Sequence, residues 1–228
     1  MLSNIDIITI HLDWISRGYN FNDILSVYEE LTPHPFNNIG LLDIQRHIGG
    51  PVYPYLSDQS EILALYKKVI TESDYEKITF IFYNEHGFDG NLDFLERCIN
   101  IEYIKVGCSC LGKIENLEPL KNLTKLKYID FHRHNISDLS PLASLENLED
   151  LMLWDNPIKT IRPIVHLKNI KKASFSVVED DEVLELLKNS VNADVSYSSA
   201  LDPDPHTNDN KMDAEITAQK PAPFGKNK

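Results

Sequence analysis

Cysteine and histidine, the residues best suited to metal binding or nucleophilic chemistry, approach each other in one part of this chain. Cys108-Ser-Cys110 lies one repeat before His132 and His134. A metal site would need four convergent ligands, but Cys-x-Cys is not the paired-cysteine zinc spacing and no fourth ligand stands out. A Cys110–His132 or Cys110–His134 nucleophile pair would need hydrogen-bond reach and a third, orienting group. No signature for one surrounds these residues, and a free-thiol bulge is the plainer expectation. Gly49-Gly50 lacks the spacing and the lysine of a phosphate loop. Asp89-Gly90-Asn91 lacks the alternating carboxylates of a calcium loop and reads as a turn. No cofactor and no metal are expected.

The elements that would position such groups repeat. The phrase Ile-x-x-(Leu/Ile)-x-Pro-(Leu/Ile)-x-x-Leu begins at Ile114, Ile136 and Ile158, each copy displaced by 22 positions, with Pro119, Pro141 and Pro163 in register. Self-similarity at a fixed short period is the mark of a solenoid. Between the phrases runs a strand pattern, Leu-x-x-Leu-x-Leu, seen at Leu126/Ile129/Phe131 and Leu148/Leu151/Leu153. It recurs at Ile170/Ala173/Phe175, Ile101/Ile104/Val106 and Ile78/Ile81/Tyr83. Five parallel strands are expected, over 78–83, 101–106, 126–131, 148–153 and 170–175. The turn beginning at Ile101 is three residues longer, placing a bulge at Gly107–Gly112.

Residues 1–75 do not share the repeat. The β-branched run Ile5–Leu12 predicts a strand, and Asn22 and Asp23 are expected to cap a helix reaching about Leu31. Pro33–Asp58 reads as loop with short ordered pieces, and Ser60–Ile70 as a second helix. Residues 1–75 would then form an N-terminal α/β cap region and 76–178 the repeats. Residues 179–197 would form a C-terminal cap, with a helix from Asp180 to about Lys188 and a last strand over Ala193–Tyr197. Residues 198–228, with four prolines among polar residues, are expected to be disordered.

The strand triples, the proline-bearing returns and Asn156 resemble leucine-rich repeats of the 22-residue class, as in internalins and the regulator of type-1 protein phosphatase. That resemblance implies an α/β solenoid, and a recognition scaffold rather than an enzyme. It also implies that the ninth position of each turn holds an asparagine bonded to neighbouring backbone. Asn156 fits, whereas the preceding turn has His134 there, with Asn135 one later.

In such a solenoid the residues between the inward ones face the concave surface. The third positions are Phe80, Tyr103, Tyr128, Asp150 and Lys172, and the fifth are Phe82, Lys105, Asp130, Met152 and Ser174. The seventh include Gly107, His132, Trp154 and Ser176. The candidate partner-binding residues are Tyr103, Tyr128, Asp130, His132, Asp150, Met152 and Trp154, because aromatics and methionine are enriched at interface cores. Phe80 and Phe82 are the positions where the N-terminal region would fold over the face.

Net charge is −13, which disfavours nucleic acid and anionic membranes. With the acids around the aromatic centre, it suggests a basic protein partner. Three cysteines give no disulfide framework. The first residues lack a secretory leader, so Asn122-Leu-Thr and Asn135-Ile-Ser read as coincidental glycosylation patterns. No run is long enough to span a bilayer, and a cytoplasmic location is expected. The function expected is partner binding, as a regulatory or adaptor subunit or as an inhibitor or immunity-type protein. The alternative is an enzyme whose site lies in 1–75, drawing on His11, His34, His47 or Asp43.

Overall fold

A computed structural model describes residues 4–31, 41, 44, 47–48, 70–83, 88–107, 112–190 and 192–199. The expected helix over Ser60–Ile70 lies almost wholly outside these residues, as do Cys108, Cys110, His34 and Asp43. The repeats build one parallel sheet in sequence order: β1 Phe80–Tyr83, β2 Tyr103–Val106, β3 Tyr128–Asp130, β4 Asp150–Met152, β5 Lys172–Val178 and β6 Asp194–Ser199. The registers of β1–β5 match the repeat alignment, and the β5–β6 pair continues it from Lys172 to Ser174 before shifting. Phe80, Tyr103, Tyr128, Asp150, Lys172 and Asp194 form one ladder, and Ile81, Ile104, Ile129, Leu151, Ala173 and Val195 the next. Phe82, Lys105, Asp130, Met152, Ser174 and Ser196 form the third. The chain folds as a leucine-rich-repeat solenoid. The expected last strand is β6, which runs to Ser199 and so enters the stretch expected to be disordered.

The returns explain the prolines. Glu118–Leu120, Ser140–Leu142 and Arg162–Ile164 are single 3₁₀ turns with Pro119, Pro141 and Pro163 in their first positions. Proline supplies the turn's φ there, and no ladder needs its missing N–H. Asp93–Arg97 repeats the same turn without proline, so the phrase extends one return further upstream than its prolines reveal. Leu95, Leu120, Leu142 and Ile164 stack in the interior, each fully buried.

Between turns, asparagine side chains close the backbone. Asn156 donates from Nδ2 to the carbonyls of Phe131 and Leu153 at 2.8 and 2.9 Å, and its Oδ1 accepts the Ile136 N–H at 3.0 Å. His134 performs the same task one turn earlier. Its Nε2–H donates to the Val106 carbonyl at 3.1 Å, and Nδ1 accepts the Ile114 N–H at 3.2 Å. A neutral imidazole has one donor and one acceptor, as this site requires, and burial holds His134 neutral with a pKa of about 4. The irregularity seen in the sequence is a chemical substitution, not a gap. A second set was not anticipated: Asn100, Asn147 and Asn169, each just before its turn's first inward residue, donate to carbonyls of Glu76, Thr124 and Glu146 at 2.7–2.8 Å.

The expected N-terminal strand is instead a helix, α1 (Asn4–Ser16). Ile7, Ile8, Ile10, His11, Leu12 and Trp14 are all buried, and a segment apolar all round reads equally as a buried strand or helix. Packing against the first repeat overrides the β-branched preference. The helix ends in a Schellman motif: Gly18 sits at φ 89°, with Tyr19 N–H bonded to Trp14 O and Gly18 N–H to Ile15 O. Helix α2 (Phe21–Leu31) is the expected one, but its cap is Asn20 rather than Asn22. Asn20 Oδ1 accepts the Asn22 and Asp23 N–H groups, and Asp23 Oδ2 accepts the Asn20 N–H. A short α3 (Glu72–Tyr75) leads into β1. At the other end α4 (Asp180–Asn189) replaces the 3₁₀ return of the last turn, placing Val183 and Leu186 in the interior.

Candidate interaction face

The concave face divides into two parts. Over β1–β3 it is roofed by the N-terminal helices. Phe21 stacks on Tyr103 with ring centres 5.1 Å apart and leans on Tyr128 at 5.0 Å. Trp14 stacks over Phe80 at 6.4 Å, and Tyr28 covers Phe82 at 5.1 Å. Phe80 and Phe82 are consequently buried, as expected, and Tyr103 and Tyr128 are half-buried members of this aromatic layer. The Tyr128 hydroxyl has its pKa raised, first by burial and then by the Asp130 charge.

His11 closes the outer edge of β1. Its Nδ1–H donates to Ile7 O at 2.7 Å, leaving Nε2 to accept the Phe82 N–H at 2.9 Å. Burial lowers its pKa to about 4 and keeps the acceptor free of a proton. Both ring nitrogens are thereby committed to backbone, which removes His11 from the enzymatic alternative. His47 lies 3.6 Å from Glu30 on the surface.

Over β3–β5 no described element covers the face, and here most of the sequence candidates come together. Asp130 is buried at the centre, bonded to Lys105 Nζ and 2.5 Å from His132 Nδ1. Burial opposes its ionisation, but His132 and Lys105 outweigh that and hold the carboxyl at about 2. The His132 ring stacks on Trp154 at 4.8 Å with nearly parallel planes, and the Arg133 guanidinium lies 4.8 Å from the same indole. Arg133 in turn is 3.5 Å from Asp155. Both Arg133 and Asp155 adopt positive φ, at 62° and 59°, an uncommon backbone state for such side chains. Asp155 N–H donates to Ser176 Oγ at 2.6 Å and Arg133 N–H to Trp154 O at 3.0 Å.

Met152 and Asp150 complete the set as half-buried residues of β4. The Asp150 pKa is raised by burial, against the pull of Lys172 beside it. The expected acidic rim is therefore mostly matched from within: Asp130 by Lys105 and His132, Asp155 by Arg133, and Glu149 by Lys171 at 2.5 Å. Lys105 and Arg133 carry this pairing. A lysine at a fifth position next to an aspartate one turn on is a legible sign of a cross-strand ion pair.

Among the described residues no group of three or more His, Cys, Asp or Glu side chains could hold a metal. His134, one of the imidazoles weighed for such a site, has both nitrogens bonded to backbone. Among the same residues no helix is long and apolar enough to cross a membrane.

No protein-family model matches this sequence, and neither does any curated protein. Two solved structures from Listeria monocytogenes are similar in part. Internalin C2 is 22% identical with a TM-score of 0.41, the match covering 57% of this chain and 66% of that one. Internalin F is 20% identical with a TM-score of 0.37, over 63% of this chain and 55% of that one. The chain spans less than two thirds of either neighbour's length. At such identities and scores the likeness has no bearing on partners, and the fold stands on the repeat and register above.

Proposed function

We propose that this chain is a protein-binding module whose contact surface is the open C-terminal half of the concave face, centred on Trp154 and Met152. The observation that supports this most is the state of Trp154. The solenoid does not need an indole at a seventh position, yet this one is half-buried and held in place by His132 and Arg133. A rigid, preorganised aromatic beside a methionine suits a hot spot, where little side-chain freedom is lost on binding. Because the charges around it are largely paired within the chain, apolar contact leads and a basic character of the partner contributes through Asp150 and Asp194. Tyr103 and Tyr128 support this surface from beneath Phe21 rather than meeting the partner. The role is that of a regulatory or adaptor subunit, or of an inhibitor or immunity-type protein.

The test is affinity capture from source cells with the full chain and with Trp154→Ala and Met152→Ala, each checked for unchanged melting. Loss of the same prominent partner in both variants is the expected result. Retention of every partner by both would place the contact elsewhere and overturn the reading. Adding the purified chain to that partner and assaying its activity separates adaptor from inhibitor.

A further inference from the structure

The last turn of a solenoid exposes interior side chains and an unpaired strand edge unless something covers them. At the first turn α1 does so. At the last, no described element lies along the outer edge of β6, and Leu184 on α4 is 56% exposed with Val195 and Tyr197 half-buried. The edge is six residues long and contains none of the proline or lysine that usually blunts one. Asp194 N–H donates to Lys171 O, so alternate residues from Asp194 turn their backbone groups towards β5. Val195 and Tyr197 turn theirs outwards.

We infer that this edge is a homodimer interface in which β6 pairs antiparallel with β6 of a second copy about a two-fold axis at Ser196. Two features select this occupant. A head-to-tail contact needs β1 of the next copy as acceptor, and His11 already takes the Phe82 N–H on that edge. The isologous contact remains. The chain's own continuation meets Pro203 and Pro205 soon after Ser199, and proline cannot donate to a ladder.

The two-fold also matches the charges and side chains. Helix α4 is acidic in its first turn (Asp180, Asp181, Glu182) and carries Lys188 in its last. An antiparallel arrangement sets the acidic end of each helix against the basic end of the other, with opposed dipoles. In the strands, Val195 falls opposite Tyr197 of the second copy and exchanges both backbone hydrogen bonds with it, a β-branched and aromatic pair. Asp194 falls opposite Ser198 and away from its own counterpart. The concave faces then lie on the same side, and two Trp154 surfaces are presented together.

Sedimentation of the full chain over a concentration series, with substitutions on β6, tests this. Wild type should show twice the monomer mass at high concentration. Ser196→Lys, which sets two like charges opposite each other on the axis from an exposed position, should raise the dimer dissociation constant about tenfold or more while melting as wild type does. The register is tested by oxidation. Ser196 is exposed, and Ser196→Cys places two thiols on the axis at about 4.5 Å between Cα atoms, within disulfide range. Ser198→Cys leaves its two thiols about 13 Å apart by strand rise. A covalent dimer for Ser196→Cys but not for Ser198→Cys or wild type is expected. A monomer at every concentration, a dimer indifferent to Ser196→Lys, or equal cross-linking by both cysteine variants would each overturn the proposal.

Discussion

The two tryptophans of this chain occupy equivalent-looking surroundings with opposite consequences. Trp14 is fully buried, packed on Phe80 and His11 beneath the first turn. Trp154 is also packed on an aromatic-like ring, but it stands half-buried on the open part of the same concave face. The sheet beneath them is continuous, so the difference comes from what lies above it. Over β1–β3 two helices cover the apolar ladder, and over β4–β5 the ladder has Asp150, Lys172 and Ser174 and needs no cover. One half of the face belongs to the protein's core, and the other is where we propose that a partner binds.

The sharpest way to break that contrast is Trp14→Ala. Truncating a fully buried indole should cost about 3–5 kcal/mol, read as a fall in the urea midpoint at constant slope. The N-terminal helices should loosen and expose Tyr103 and Tyr128. A loss under about 1 kcal/mol, the scale of an ordinary surface change, would mean that the roof is not part of the cooperative unit.

The ion pair beneath the open half should come next. Lys105→Met leaves the buried Asp130 carboxylate with His132 and a long, 3.5 Å hydrogen bond from the Tyr128 hydroxyl, and removing one member of a buried pair is expected to cost about 3 kcal/mol. Lys105→Met combined with Asp130→Asn should recover most of that, because no uncompensated charge remains. If the double variant is as unstable as the single, the loss came from packing and not from charge.

A comparable effect should appear with pH and without mutation. His11 and His134 have folded pKa values of about 4 against about 6.5 for an unfolded histidine. The unfolded chain therefore binds more protons between these values, so stability is full above about pH 6.5 and falls as the pH drops towards 4. The gap corresponds to at most roughly 3 kcal/mol per histidine. Asp130, lowered to about 2, adds a separate loss only below the ordinary aspartate range. Because asparagine reproduces the donor and acceptor at the ninth position, His134→Asn should keep neutral-pH stability within about 1 kcal/mol. It should also flatten the acid dependence. An unchanged pH profile would place the titration elsewhere.

How much of this was written in the sequence follows the repeat. Where one turn resembles the next, register could be read residue by residue, because each strand's inward positions are fixed by the same stacking. The alignment of Tyr128 with Asp150 and of Asp130 with Met152 is of that kind. Where the chain leaves the repeat, local pattern failed. Ile5–Leu12 is β-branched and partly alternating, yet forms α1, since only the neighbouring Phe80 and Phe82 decide which conformation buries it. The cover over Tyr103 and Tyr128 was equally hidden, as nothing in either tyrosine announces Phe21. His134 was legible in part: its displacement from the asparagine rule was visible, but recognising it as an equivalent required knowing that both its nitrogens meet backbone.

The smallest stability change and the largest functional one should coincide at Trp154. Its indole contacts His132 and Arg133 but nothing in the interior stack, so Trp154→Ala should shift stability by no more than about 1 kcal/mol, the range of half-exposed sites. The same substitution should abolish or strongly weaken partner capture, since truncated hot-spot aromatics commonly cost 2 kcal/mol or more, about thirtyfold in affinity. Trp14→Ala predicts the reverse order, a large stability loss with binding impaired only as far as folding is. Measuring both variants for both quantities places each tryptophan on its own side of the division. A Trp154 variant that is strongly destabilised would erase that division, because the indole would then belong to the core.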